Sequence, residues 1–155
     1  MPFYYDISVG QTSNATVNTE NQAARLLTIA NQTPASVMGL YMACRMASAG
    51  GAEMRLKTAA TAGTAGTGVT PAKRHPNAPA ASTTAFTAHT AGGTLTTRLV
   101  IGAAATGGLG GWVALNDDHG FTLLPNAGAN GNCELTNISA LASTLIEWTL
   151  EFLEE

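Results

Sequence analysis

The chain has few charged residues: they make up 11% of its 155 residues, against about 25% in an ordinary soluble domain. Seven Lys and Arg residues against ten Asp and Glu residues give a formal net charge of −3. Proteins that bind nucleic acid carry a basic stripe that displaces counterions from phosphates, and this chain lacks the cations for one. We therefore expect no nucleic-acid partner.

Long apolar runs and cysteines are also scarce. No stretch of 18 apolar residues is present, so the sequence predicts no membrane-spanning helix and no membrane partner. The opening residues show neither the basic start nor the apolar core of a secretory signal. Cys44 and Cys133 are too few for a disulfide framework and lack the spacing of a metal site, which favours free thiols. The length fits one domain, residues 1–155.

What the sequence does contain is a series of short segments rich in β-branched and aromatic residues, separated by Gly- and Asn-rich turns. In "SVMGLYMACRMAS", Met38, Leu40 and Met42 alternate on one face, which predicts a long and mostly buried strand. Regular short strands with Gly-rich turns indicate a sandwich or barrel. We predict an all-β fold, a jelly-roll-like β-sandwich of about eight to ten antiparallel strands.

The last segment, "STLIEWTLEFLEE", fits the spacing of a helix as well as that of a strand. Its β-branched and aromatic content favours a strand. The alternation then predicts that the terminal acids form a solvent-facing side; these acids are Glu147, Glu151, Glu154 and Glu155.

No motif in the chain points to catalysis, to a cofactor or to a metal. "GTAGTG", residues 63–68, lacks the Lys-Ser/Thr pair that a phosphate-binding P-loop needs. Asp117, Asp118 and His119 are neighbours in a predicted turn, where adjacent side chains rarely converge on one ion, and no second cluster completes a coordination shell. We therefore expect a protein that is not an enzyme and that has no catalytic residues, no cofactor and no metal site.

The stretch Thr58–Thr84 interrupts the strand pattern, because Val69 is its one large aliphatic side chain. Long excursions within a compact domain are usually functional or disordered, and prolines stiffen this one, which lowers the entropy lost on docking. We predict an extended loop or arm at about 61–82, ordered by neighbouring subunits, with a positive tip at Lys73 and Arg74. The predicted partner-binding residues are Val69, Pro71, Lys73, Arg74, His75, Pro76 and, outside the arm, Trp112.

Three features together resemble small structural proteins of tailed-bacteriophage virions, in particular the head decoration (cement) proteins. They are the aromatic start "FYYDISV", the Gly/Thr-to-Pro segment "GTGVTPAKRHPNAPAASTT" and the late "GFTLLPNAGANGNCEL" followed by the acidic ending "IEWTLEFLEE". The resemblance implies a virion protein, made in the host cytoplasm, that binds the outer face of the capsid and stabilises it. The implied partners are the major capsid protein and copies of the chain itself, with a trimer the favoured homo-oligomer.

A second hypothesis belongs to another class of protein: a carbohydrate-binding or receptor-binding β-sandwich module of a phage tail or a cell surface. It would use Trp112 with a tyrosine and the loop Asp117–His119, because sugars stack on exposed aromatic faces. Exposed, coplanar aromatic rings on one face of the sandwich would favour this hypothesis over capsid binding. An enzyme ranks last, because no feature of the sequence asks for a pocket with a perturbed acid or histidine.

Overall fold

A computed structural model describes most of the chain. The described residues are 2–8, 11–13, 20–27, 34–44, 52–61, 63–103, 112–114, 121–123, 132–139 and 145–154. They contain no helix, and hence none that could span a membrane. Thirteen strands are formed: β1 Phe3–Ile7, β2 Gln11–Ser13, β3 Asn21–Leu27, β4 Ala35–Cys44, β5 Ala52–Ala59, β6 Thr67–Val69, β7 Ala72–Lys73, β8 Thr84–Thr87, β9 Leu95–Ala103, β10 Trp112–Ala114, β11 Phe121–Leu123, β12 Asn132–Ser139 and β13 Leu145–Glu154.

The strands form two antiparallel sheets. The first has the order β10-β4-β13-β1-β7, with β11 beside β4 and β2 beside β13, and the second has the order β6-β8-β3-β12-β5-β9. Strands β1, β3, β4 and β5 pair in turn with β13, β12, β10 and β9. This nested pairing of the first strand with the last is the order of a jelly roll. The predicted all-β sandwich is therefore confirmed, and most of the additional strands are segments of two or three residues.

The core lies between the sheets and is filled by alternate residues of the long strands. Leu26, Leu56 and Leu135 of the second sheet are fully buried, and burying each such side chain contributes roughly 1.5–3 kcal/mol before the entropy of ordering is counted. In the first sheet, the rings of Tyr5 and Phe152 stack with their centroids 5.4 Å apart. The sandwich thus has a continuous apolar centre built by strands that are far apart in sequence.

Strand β4 departs from the predicted strict alternation. Opposite it, the register of β13 shifts between Glu151 and Phe152, so that Met38 is an extra residue in β4. A bulge of this kind reverses the face to which the following residues point. Val37 and Leu40 are therefore both fully buried although three positions separate them, whereas Met38 is only half-buried.

The C-terminal segment is a strand, as its composition predicted, but the prediction that its acids face solvent is wrong for two of them. Glu151 and Glu154 are only 7% and 6% exposed. Glu151 lies on the side of β13 away from the apolar core, as the alternation predicts, but Arg74 lies against its carboxylate. Glu154 shares the side of the buried residues Leu150 and Phe152, and its carboxylate accepts the N–H groups of Ser82 and Thr83. Cys133 is a buried free thiol, as expected, and burial raises the pKa of its thiol.

The excursion between β5 and β9 contributes to both sheets. Strand β6 pairs with β8 at one edge of the second sheet, and β8 in turn pairs with β3. Strand β7 pairs with β1 at the edge of the first sheet. The segment predicted as an arm at about 61–82 therefore passes from the edge of one sheet to the edge of the other, on the same side of the sandwich.

Candidate interaction surface

Main-chain contacts hold the arm against the first strand. Tyr5 lies opposite Lys73 and Asp6 opposite Ala72 in the antiparallel β1–β7 pair. Directly after this pair, the N–H of Arg74 donates to the carbonyl oxygen of Tyr4 at 3.1 Å. Short as it is, β7 places the residues that follow it beside the N-terminal strand.

A tight turn follows at His75–Ala78. The N–H of Ala78 donates to the carbonyl oxygen of His75 at 3.0 Å, and Pro76 occupies the second position, where its fixed φ suits a type I or type II turn. The N–H of Asn77 also donates to Nδ1 of His75 at 3.2 Å. Ala78 is buried in the core at 4% exposure, while residues 72–77 are exposed. The tip is thus exposed to solvent, while the last residue of its turn is buried in the core.

The guanidinium group of Arg74 joins two acids of the first sheet. Its Nε donates to Asp6 Oδ2 at 2.8 Å and to Oδ1 at 3.0 Å, and its Nη2 lies 3.1 Å from Glu151 Oε2. Asp6 and Glu151 are directly opposite each other on β1 and β13, an arrangement that would be repulsive without a cation between them. The hydrogen bond to Asp6 raises the pKa of Arg74, with Glu151 adding to the effect.

The electrostatic balance at Glu151 differs from that at Arg74. Burial raises the pKa of the Glu151 carboxyl, Arg74 opposes this shift, and the nearby Asp6 adds to it. Glu151 therefore remains harder to ionise than an ordinary glutamate even beside its cation. The cluster depends on the arm, because the arm supplies its positive charge.

The C-terminal end of the arm is held by Glu154. One carboxylate oxygen accepts the N–H of Thr83 at 2.6 Å, and the other accepts the N–H of Ser82 at 3.0 Å. The hydroxyl of Tyr5 donates to the carbonyl oxygen of Pro79 at 3.2 Å. Burial raises the pKa of Tyr5, and the charge of Glu154 adds to that shift. The tip and the C-terminal end of the arm are therefore bonded to β1 or β13, whereas its first part pairs with β8.

Two open clefts border the arm. The larger has a volume of about 520 Å³, and the smaller, between β6 and β8, has a volume of about 390 Å³. The larger cleft has an apolar wall, of which Tyr4 is 40% exposed, and a polar wall from the arm and β13. Its lining residues are Pro2, Phe3, Tyr4, Arg74, His75 and Glu151.

The structure brings most of the predicted contact residues to these clefts. Arg74 and His75 line the larger one, and Val69 and Pro71 line the smaller one. Lys73 and Pro76 are exposed beside them.

Trp112 lies elsewhere. It is in β10, opposite Tyr41 of β4, at the other edge of the first sheet. Four strand spacings, roughly 19 Å, separate that edge from β7. The loop Asp117–His119 lies outside the described residues.

The sequence did not single out the residues of the larger cleft that come from the sandwich itself. Tyr4 stood out only as one of several aromatic residues, and Asp6 and Glu151 have no local signature. Asp6 is 68 positions from Arg74, so only the pairing of β7 with β1 brings them together. An acid in an otherwise apolar, aromatic strand, as in "FYYDISV", is the one available signal that a cation lies nearby.

A second polar cluster lies on the face of the second sheet opposite the core. Arg25 lies opposite Glu134 on one side and Phe86 on the other, and its guanidinium carbon is 5.2 Å from the centre of the Phe86 ring. His89 Nε2 is 3.7 Å from Glu134 Oε2, and the other oxygen of Glu134 accepts the N–H of Gly92 at 2.6 Å. Arg25, His89 and Glu134 are all 7% exposed or less.

The neighbouring part of this face carries Lys57, whose Nζ lies 2.5 Å from Glu20 Oε1. Lys57 is only 6% exposed, although it lies on the side of β5 away from the core, next to the fully buried Leu56. Burial would raise the pKa of Glu20, but hydrogen bonds from Lys57 and Thr136 outweigh it and lower the pKa. Within the described ranges, no three His, Cys, Asp or Glu side chains converge as metal ligands would.

Comparison with known proteins adds no family to this picture. No protein-family model matches the chain, and no curated protein matches it either.

Proposed function

We propose that the protein is a non-enzymatic virion structural protein that binds the outer face of a phage capsid and stabilises it. The observation that carries the proposal is the arm at about 61–82, whose exposed tip, residues 72–77, is held in one conformation by β1 and β13 beside an open cleft. A surface that is ordered before binding loses little conformational entropy when it docks. The resemblance to head decoration proteins supplies the identity of the partner, the major capsid protein.

The chemistry of the tip suits a partner surface that is mainly apolar and uncharged. Arg74 is neutralised within its own chain by Asp6 and Glu151, so a partner need not supply an acidic patch for it. The exposed ring of Tyr4 and the imidazole of His75 are the groups left at the mouth of the cleft. Burying these two groups between subunits carries a small desolvation penalty.

The experiment is to add the purified protein to expanded shells of the encoding phage that lack it. We expect saturable binding and an increased resistance of the shells to heat or chaotrope. The variant Tyr4→Ser/His75→Ser should bind at least about tenfold more weakly, because it removes two contact groups at an interface centre. Thr97→Ser, an exposed change on β9, serves as the control and should bind like the wild type. Shells that neither bind the protein nor gain resistance would refute the capsid role.

A second candidate function is glycan binding at the other edge of the first sheet. The register places Trp112 opposite Tyr41, so two aromatic residues occupy neighbouring positions, and aromatic pairs of this kind can form a platform for sugar rings. A glycan screen of the wild type against Trp112→Ala tests it directly. Binding that Trp112→Ala abolishes and Tyr4→Ser/His75→Ser leaves unchanged would favour the glycan-binding module over the capsid protein.

A further inference from the structure

The larger cleft beside the arm has the size and the lining of a binding site. Its volume of about 520 Å³ falls within the roughly 300–1,000 Å³ of small-ligand pockets, which are mostly apolar and carry a few polar groups. The apolar wall is made by Pro2, Phe3 and Tyr4, and the polar groups come from the arm and from β13. What the cleft binds then depends on the charge that these polar groups present.

The charges at the cleft are not balanced. The carboxylates of Asp6 and Glu151 share one cation, Arg74, so that two negative charges and one positive charge leave a net charge of −1 when His75 is neutral. The other cation of the tip, Lys73, does not line the cleft, because the register places it on the opposite face of the sheet. The positive tip predicted from the sequence is thus a locally negative site in the structure.

Glu151 is the carboxylate that has too few partners. Its side chain lines the cleft although the residue is only 7% exposed. Oε2 lies 3.1 Å from Arg74 Nη2, whereas Oε1 has no hydrogen-bond or ion-pair partner among the described residues. Burial raises the pKa of this carboxyl, Arg74 opposes the shift and Asp6 adds to it. A further cation beside Oε1 would stabilise the buried charge.

The ring of Tyr4 lies within reach of that oxygen. Tyr4 is opposite Leu153 and Asp6 is opposite Glu151, so Tyr4 and Glu151 are diagonal neighbours on the outer face of the first sheet. Diagonal neighbours are about 7–8 Å apart, within reach of aromatic and long side chains, so a cation between them contacts both. The ring is 40% exposed, and among the described residues no cation of this chain lies over it.

We propose that this cleft binds one cationic side chain of the partner, an arginine or a lysine, between the ring of Tyr4 and Oε1 of Glu151. The face of the ring attracts a cation through its quadrupole, and the carboxylate oxygen accepts the N–H groups of that cation. Arginine suits the site better, because its planar guanidinium group stacks on a ring while it donates to a carboxylate. The inference rests on the proposed function for the identity of the partner, the major capsid protein.

An anionic group is the alternative occupant, because Arg74 and His75 also line the cleft. However, Nε of Arg74 already donates to both oxygens of Asp6, and Nδ1 of His75 accepts the N–H of Asn77. An anion in the cleft would also lie beside two carboxylates, which repel it. The charges of the site therefore favour a cation.

The first experiment uses the purified protein alone and N-acetylarginine amide as the probe. N-acetylcitrulline amide has nearly the same shape without the charge and is the matched control. We expect saturable changes in the NMR signals of Tyr4, Arg74 and His75 with the arginine probe, and binding of the citrulline probe at least about fivefold weaker. N-acetyllysine amide shows which cationic side chain the cleft prefers. Equal binding of the arginine and citrulline probes would overturn the proposal.

Substitutions in the site should act with opposite signs. Glu151→Gln should weaken binding of the arginine probe at least about fivefold and Tyr4→Leu about threefold, whereas Arg74→Gln should tighten it about threefold because it removes the internal cation. Glu147→Gln, on the same face of β13 and about 14 Å away, is the control and should bind like the wild type. Melting temperatures show that each variant is folded. Loss of binding in Arg74→Gln together with unchanged binding in Glu151→Gln would contradict the site.

Binding to shells separates this inference from the capsid role. If both are correct, Glu151→Gln should bind shells at least about threefold more weakly than Glu147→Gln. Shells that bind the two variants equally, together with a protein that ignores the arginine probe, would overturn the cation site and leave the capsid role standing. A protein that binds the probe at Glu151 but does not bind shells would refute the capsid role and leave the cation site standing.

Discussion

The arm at about 61–82 and strand β9 lie on opposite sides of the sandwich, and each differs in the structure from what its own sequence suggests. The segment at about 61–82, rich in Gly, Ala, Thr and Pro, looks like a flexible connection, yet its first part pairs with β8 and the rest is bonded to β1 and β13. Strand β9 looks like an ordinary strand of the sheet, yet among the described residues it pairs with β5 alone, with a bulge at Arg98. A segment is ordered by the partners that the fold supplies, whatever its own composition suggests. Substitutions on the arm should therefore lower the free energy of unfolding, and matched substitutions on β9 should not.

The largest effect is expected when the carboxylate that holds the arm is removed. Glu154→Ala leaves the N–H of Thr83 without its acceptor, and Thr83 is only 1% exposed. An unsatisfied buried donor costs about 1–3 kcal/mol, and loss of the second bond, to Ser82, adds to it. We expect the free energy of unfolding, measured by urea titration, to fall by about 2–3 kcal/mol. Glu154→Gln, which keeps one acceptor, should lose less; equal losses would argue against this role of the carboxylate.

The next contrast compares one glycine on each side. A Cβ at Gly66 would lie 1.9 Å from the carbonyl oxygen of Thr87, whereas a Cβ at Gly102 would meet nothing within 4 Å. Gly66→Ala should therefore destabilise the protein by about 1–3 kcal/mol through overpacking against the main chain. Gly102→Ala should stabilise β9 by about 0.5 kcal/mol because it restricts the unfolded chain. Thermal unfolding of both variants checks the contrast, and melting temperatures that shift together would contradict it.

A smaller effect is expected at the cation of the arm. Arg74→Ala leaves Asp6 and Glu151 facing each other without a counter-charge. Because Arg74 is itself half-exposed, we expect a loss of only about 1–2 kcal/mol, between that of a surface pair and that of a buried pair. Lys73→Ala, one position earlier and exposed, is the control and should change the free energy of unfolding by no more than about 0.5 kcal/mol. A larger loss at Lys73 than at Arg74 would show that the ion pairs are not what holds the tip.

The smallest effects concern pH. Lowering the pH should reduce the contribution of Glu20, on the second sheet, to the free energy of unfolding and should increase that of Glu151, on the first sheet. The pKa of Glu20, on the second sheet, is lower than its ordinary value of 4.5, so its contribution to stability is complete above pH 4.5 and is lost as the pH falls below it. The pKa of Glu151 is raised, so the folded state gains stability relative to neutral pH as the pH falls towards 4.5.

Two variants separate these contributions. The stability difference between the wild type and Glu20→Gln should shrink below pH 4.5. That between the wild type and Glu151→Gln should grow in favour of the wild type from pH 7 to pH 4.5. Each change is expected to be about 1 kcal/mol or less, measurable by denaturant titration at several pH values. Equal pH dependence in the two variants would contradict the assigned shifts.

Much of the fold could be predicted because its signals are local. The aromatic and β-branched residues of β13 identified a strand, although its spacing also fitted a helix. The alternation was less reliable where a bulge intervened, as at Met38, or where another segment covered the outer side of a strand, as at Glu151 and Lys57. Period two tells which residues share a face of a sheet, but it does not tell what lies over that face.

The candidate surface could be predicted only in part, because some of its residues have a local signal in the sequence and others do not. Pro71, Arg74 and His75 stood out because prolines and neighbouring cations interrupt a low-charge chain. Their partners Asp6 and Glu151 did not stand out, because a single carboxylate in a strand has no local pattern that indicates a cation many residues away.

The sequence by itself determined that this chain is all-β, since the period of its apolar residues and the chemistry of its turns act over only a few positions. It also determined that only 11% of the residues are charged, so that few ion pairs can form. The tertiary structure alone decided where those charges meet: pairing of β7 with β1 places Arg74 between Asp6 and Glu151. It also decided which strands become neighbours, because the paired strands come from parts of the chain that are distant in sequence, and strand pairing depends on topology rather than on local composition.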